Sequence, residues 1–299
     1  MDGRGVSGQV LVLTDGSPAG NGAVRMATEI ARALPSSLAI LGVSARSEDD
    51  GRITEAVATA QTHARPRVSS LETIQATGDL LAVAQRRVSE TPTSLVVLGA
   101  SPHGAASSDR VASRVWKIVR TLSPPVLVVP EGGLTLSSFL FCTGGARYIE
   151  EGAGLVAQIA AGVEGRVTVF HVSPHVPAMY GERLERDEES AEDFLRSNSR
   201  LARNIRRQID TFRKSGVPTD FRVSAGDVGN AVERELRRGG HDLVVVGSSP
   251  AGGPIRTYML GNVTRDILSF AWRPFLVLRS RQPGFWSEVW RILAEPSSG

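Results

Sequence analysis

Cysteine is nearly absent from this chain: among 299 residues there is one, Cys142. A lone thiol excludes an internal disulfide and suits a reducing compartment. It closes the apolar run Phe139-Leu140-Phe141-Cys142, which predicts a buried, unreactive thiol. Long hydrophobic runs are missing as well. None approaches the ~20 residues that cross a bilayer, so no membrane span is expected. The opening MDGRGVSGQVLVLTDGS has no basic-then-apolar layout of a secretory signal, which predicts a cytoplasmic protein. Lysine is scarce too, with only Lys117 and Lys214, so the formal charge of +3 is carried almost wholly by arginine. Aromatics make up 5% of residues, and no arginine stripe interleaves with them as single-strand binding requires. No nucleic-acid partner is expected.

Several catalytic signatures are also lacking. A dinucleotide-binding oxidoreductase would carry Gly-x-Gly-x-x-Gly after its first strand, and Asp15-Gly16-Ser17-Pro18-Ala19-Gly20 does not fit. Neither lysine follows a glycine, which excludes a Walker loop. There is no Gly-x-Ser-x-Gly elbow and no Cys/His set with metal-ligand spacing, so no metal is expected. The acid cluster of a receiver domain is missing from the strand ends at Asp15 and Gly99. The sequence therefore predicts a protein that is not an enzyme.

What is present is a repeat. Val10-Leu11-Val12-Leu13 and Phe139-Leu140-Phe141-Cys142 each read as a buried strand, followed by a turn and an Ala-rich helix (23–34 and 152–161). A second strand follows in each half, at 38–43 and 167–172. Both pairs are displaced by 129 residues (15 to 144, 43 to 172). Further on, Gly78-Asp79 leads to Ser94-Leu95-Val96-Val97-Leu98-Gly99, and Gly226-Asp227 leads to Asp242-Leu243-Val244-Val245-Val246-Gly247. Here the displacement is 148 (78 to 226, 99 to 247). Pro125 and Pro274, opening the last strands, stand 149 apart (125 to 274).

Continuous Val/Leu/Ile strands alternating with helices indicate parallel sheets covered on both faces. The reading is thus α/β: two doubly wound five-stranded parallel-sheet domains, at 1–132 and 136–281, with a tail at 282–299. Any ligand belongs at the carboxyl ends of the strands. The apolar last strands, 126–129 and 275–278, would be exposed edges. Pairing them into an intramolecular pseudo-dimer hides both.

The insertion in the second half falls at a helical segment over 185–214, whose apolar positions Ala191, Phe194, Leu195, Leu201, Ala202, Ile205, Ile209 and Phe212 recur at helical spacing. In the tail, Trp286, Val289, Trp290 and Leu293 form one helical stripe that something must cover. Packing on the protein body or on a second copy is preferred to a membrane surface, so self-association is open. Ser17-Pro18 reads as an N-cap pair, Asp79, Asp227, Ser113 and Asn262 as N-caps, and His171 as a core histidine.

Three patterns together resemble the universal stress protein family over nearly all of residues 8–281. They are the strand ending Asp15-Gly16-Ser17, the twice-used Gly-Asp before the third helix, and a loop of the form Gly-x2-Gly-x9-Gly-Ser/Thr before a helix and a Pro-Val-Leu-Val strand. The resemblance implies an adenine-nucleotide hydrolase-like fold and a cytoplasmic stress-response regulator. ATP or a related nucleotide would be its ligand, with the acid facing base and ribose and the glycine loop wrapping the phosphates. Glycines let backbone amides approach an anion closely, and the following helix N-terminus adds its dipole.

Both loops depart from the pattern. In the first half Asp15, Val43, Gly99, His103 and Ser113 are the implied set, but Pro102 and Ala112 replace two glycines. In the second half Val172, Gly247, Arg256, Gly261, Asn262 and Thr264 are the implied set, but Gly144 stands where the acid should be. Two readings stay open. One is a nucleotide-responsive regulator using one half; the other is an interaction module of the same fold with both pockets degenerate. Neither reading names the protein partner.

Overall fold

The computed structural model describes residues 8–34, 36–100, 108–132, 135–145, 150–173, 187–248 and 273–279. In the first half the order is β1 (Gln9–Thr14), α1 (Pro18–Ala33), β2 (Leu38–Ser44), α2 (Asp50–Ala64), β3 (Leu71–Thr77), α3 (Leu80–Glu90), β4 (Thr93–Gly99), α4 (Ser108–Thr121) and β5 (Val126–Val129). The second half repeats it with β6 (Ser138–Cys142), α5 (Glu150–Gly162), β7 (Arg166–Ser173), α6 (Asp187–Arg196), α7 (Arg200–Lys214), β8 (Thr219–Ala225), α8 (Val228–Gly239), β9 (Leu243–Ser248) and β10 (Phe275–Arg279).

All ten strands join one sheet in the order β3-β2-β1-β4-β5-β10-β9-β6-β7-β8. Every neighbouring pair within a half is parallel. The halves meet at the single antiparallel seam, where Phe275 faces Val128, Leu276 faces Leu127 and Val277 faces Val126. Both edges anticipated from the sequence are therefore consumed by each other, which removes two apolar edges from water. The seam is reinforced on one face by α1 and α5. A methyl group on Gly162 would stand 2.6 Å from the Ala33 Cβ, so the two helices cross almost backbone to backbone.

One face of the sheet is covered by α1, α2, α5 and α7, whose inward residues include Ile30, Val57, Val156 and Ile209. The other carries α3, α4 and α8 through residues such as Ala84, Ile118 and Val232. The helix starts follow local chemistry. Ser17 Oγ accepts the Gly20 amide at 3.1 Å with Pro18 in the first turn. Asp79 and Asp227 accept the amides of Ala82 (2.9 Å) and Asn230 (3.0 Å).

Two sequence expectations need correction. The segment 185–214 is not one helix: it breaks at Ser197-Asn198-Ser199, and Ser199 Oγ caps α7 through the Ala202 amide at 3.1 Å. Short polar side chains compete for backbone groups, so three in a row end one helix and start the next. The second correction concerns Ser113, which does not cap α4. That helix begins at Ser108, leaving Ser113 in its second turn. Alanine at 112, where the family pattern has glycine, favours helix and lets α4 extend toward its N-terminus.

Candidate functional site

Strand order reverses between β1 and β4 in the first half and between β6 and β9 in the second. Each reversal opens a crevice beyond the carboxyl ends of the strands, where α/β sheets hold ligands.

In the first crevice the chain leaves β1 through a tight turn. Thr14 Oγ1 accepts the Gly16 amide at 3.3 Å, and Asp15 Oδ1 accepts the Ser17 amide at 3.0 Å. Gly16 has φ +75°, and a Cβ there would stand 2.8 Å from the Ala56 Cβ, so glycine is required on two counts. The turn leaves Asp15 exposed at the mouth, and Arg52 Nη1 binds its carbonyl oxygen at 2.7 Å. Val43 lies half-buried at the end of β2. Beside it Ser44 is buried and donates to Asp50, whose carboxylate also accepts from Thr77 Oγ1 at 3.4 Å. Gly99, at the end of β4, has a packing reason of its own. A Cβ would come within 2.3–2.4 Å of the Ala19 carbonyl and the Gly20 nitrogen, because the first turn of α1 rests directly on it.

The second crevice keeps the turn and changes its surroundings. Thr143 Oγ1 accepts the Gly145 amide at 2.9 Å, and Gly145 has φ +67°. Thr143 Oγ1 donates to Gln208 Oε1 at 2.8 Å, and Asn204 Nδ2 donates to the Gly145 carbonyl at 2.8 Å. Both amides come from α7 and are buried. They extend the stripe 201, 205, 209, 212 at three-residue spacing, a signal that the apolar pattern alone passed over. Gly144 is exposed, and among the described residues no atom lies within 4 Å of where its Cβ would stand. Val172 is half-buried near the end of β7, and Gly247 is buried near the end of β9.

His171 is a core histidine, as expected, but only half satisfied. Its Nδ1 donates to the Thr143 carbonyl at 2.8 Å, while the buried Nε2 meets no partner among the described residues. Burial lowers its pKa, against the Thr143 bond, so the ring stays neutral. Cys142 is partly buried rather than enclosed, and burial raises its thiol, which stays protonated at neutral pH.

Ser138, His241 and Glu235 line up in hydrogen-bonded series, Ser138 Oγ to Nδ1 at 3.3 Å and Nε2 to Glu235 Oε1 at 3.0 Å. This series lies at the amino ends of the strands. Ser138 is 1% exposed, which leaves no room for a substrate at its oxygen. Among the described residues no group of His, Cys, Asp and Glu could hold a metal ion. The implied site residues His103, Arg256, Gly261, Asn262 and Thr264, the Ser113 side chain and the tail 282–299 lie outside what the structure describes.

The sequence model of the universal stress protein family matches residues 7–130 and again residues 139–279. Among solved structures, a functionally unknown protein from Pseudomonas aeruginosa PAO1 is 17% identical with TM-score 0.64, covering 93% of each chain. A universal stress protein from Archaeoglobus fulgidus is 11% identical with TM-score 0.60, covering 91% of this chain and 96% of its own. At such identities the likeness is one of fold. No curated protein sequence matches the chain.

Proposed function

Since the chain belongs to the universal stress protein family, matched in both halves, we propose that it is a cytoplasmic stress-response regulator that binds ATP or a related adenine nucleotide in its second crevice. The observation that supports the reading is the exposed Gly144 in the turn after β6. With no described atom within 4 Å of a Cβ there, a base can lie across the strand ends beside Val172 and Gly247. The phosphates are assigned to Arg256, Gly261, Asn262 and Thr264, where the sequence carries the family's glycine pattern and backbone amides next to glycine favour an anion. In the first half, extension of α4 to Ser108 ties the Ser113 amide into the helix and denies it to a phosphate. The same observation, with Gly99 explained by packing, favours the second reading for that half: a degenerate pocket kept for its fold. Among the described residues no helix is long and apolar enough to cross a membrane.

The test is calorimetric titration of ATP into the full chain, with chromatography of any nucleotide released on denaturation. Gly261→Glu puts a carboxylate where phosphate would sit and is expected to abolish binding, while Asp15→Ala leaves it unchanged. The converse result moves the site to Asp15, Val43, Gly99, His103 and Ser113. Absence of binding by the unaltered chain would leave the interaction module as the function.

A further inference from the structure

At the opposite edge of the sheet from both crevices lies a cleft of about 850 Å³ between the ends of α1, α2 and α5 and the connector joining the halves. Its charged walls are Arg25, Glu29 and Arg32 from α1, His63 and Arg67 at the end of α2, and Glu164 just past α5. Arg32 is held by Glu29, Nε at 3.1 Å and Nη2 at 2.8 Å. Arg32 and His63 also sit in the last turns of their helices, where cations complement the dipole. Arg67 shares the second reason, since its Nη1 donates to the His63 carbonyl at the end of α2 at 2.5 Å; neither reason covers Arg25, two turns inside α1. Among the described residues no carboxylate forms an ion pair with either arginine. Both are close enough to His63 that, after burial, they are what disfavours its protonation.

The repeat supplies an internal control. Moving α1 onto α5 by 129 residues and α2 onto α7 by 148 superposes their buried positions, Ile30 on Ile159 and Val57 on Ile205. The same moves carry Arg25, Glu29, Arg32, His63 and Arg67 onto Gly154, Gln158, Ala161, Thr211 and Ser215. The second half thus builds the same helices with no charge at any of these positions. Ser215 caps the Thr211 carbonyl as Arg67 caps that of His63, so the fold uses the capping bond but does not need the charges.

We propose that this cleft is a second binding site, for a small polyphosphate-type anion gripped by Arg25 and Arg67, with His63 lining the same space. Planar guanidinium groups match phosphate oxygens bidentately. A ligand there touches α1, α2 and the approach to α5, so it bridges the two halves. The site is independent of the nucleotide crevice.

The test uses pyrophosphate as probe, titrated calorimetrically into the full chain at fixed ionic strength, with sulfate as a second arm. Arg25→Ala/Arg67→Ala is expected to weaken pyrophosphate by about tenfold or more, as loss of two charge-assisted contacts implies. Arg86→Ala/Arg238→Ala removes the same charge from exposed positions elsewhere and should change affinity less than about twofold. Gly261→Glu should leave this binding intact, which separates it from the crevice. Arg25, Arg67 and Glu29 all act on His63. A bound anion favours its protonated form, so between about pH 5 and 8 affinity should fall with rising pH relative to His63→Gln, in which only the probe's own titration remains. Equal affinity in the unaltered chain and Arg25→Ala/Arg67→Ala, or equal loss in both double variants, would overturn the proposal, as would complete loss in Gly261→Glu.

Discussion

The amino ends of the strands show the two halves meeting one packing requirement with opposite residues. In the first half Arg87 on α3 pairs with Glu72 on β3 and donates to Gln9 Oε1 at 3.0 Å, and Gln9 reaches Thr93 at 3.3 Å. In the second half the acid has moved to the helix and the arginine to the strand. Glu235 on α8 pairs with Arg222 on β8 at 2.7 Å and accepts from His241, which meets Ser138. Arg87 and Glu235 occupy the same place in the repeat, as do Gln9 and Ser138. What the fold demands there is a joined strand and helix, and either sign of charge serves. The carboxyl ends behave differently. Asp15 and Arg52 in one half face Gly144, Asn204 and Gln208 in the other, with no compensating exchange. Divergence at that edge alters the crevice itself, while the exchange of Arg87 for Glu235 at the amino edge changes only how strand and helix are fastened within each half.

The comparison can be broken first at the seam, where the halves should be equivalent. Leu276 and Leu127 face each other and are 1% exposed. Leu276→Asp buries a carboxylate without a partner and should cost about 4 kcal/mol or more, and Leu127→Asp the same. Urea unfolding of both variants measures it. A mild loss in either one would show that the seam is not shared evenly.

The fastening at the amino edge predicts a smaller effect with a pH signature. Glu235→Gln should cost about 1–3 kcal/mol, as loss of hydrogen bonds to a charged group does. The His241 hydrogen bond, aided by Arg222 and opposed by burial, holds the Glu235 carboxyl below the usual range. A depressed folded value means that this stabilisation is full above the unfolded carboxylate range and is lost as pH falls through the folded value. Asp242 adds to the same acid sensitivity. Burial pushes its carboxyl up, but hydrogen bonds from Ser137, Thr135 and the Ser138 amide outweigh it. Thermal melts at falling pH should therefore drop less steeply for Glu235→Gln than for the unaltered chain. Identical slopes would remove Glu235 from the account.

The smallest effect sharpens the likeness. Asp79→Ala and Asp227→Ala each remove one N-cap and should each cost about 1 kcal/mol. Denaturant midpoints that differ between the two would mean that the equivalent carboxylates do more than cap one of the helices.

Much of this molecule could be read from its sequence because the relevant forces are local or periodic. The apolar runs set eight of the ten strands, the half-exposed β3 and β8 having none; the constant displacements set the repeat, and Ser17, Asp79 and Asp227 cap because a short acceptor before a helix meets the amides three residues on. Even the seam was legible, since two apolar edges in one chain have an obvious partner in each other. The site was less so. That Gly99 is fixed by the first turn of α1, that Asn204 and Gln208 turn inward against the Thr143 turn, and that α4 starts at Ser108 all depend on segments brought together only by folding. The cleft of Arg25, His63 and Arg67 belongs with them. Its residues are scattered over two helices with nothing in their spacing to link them, and only the packing of α1 against α2 and α5 places their charges in one space.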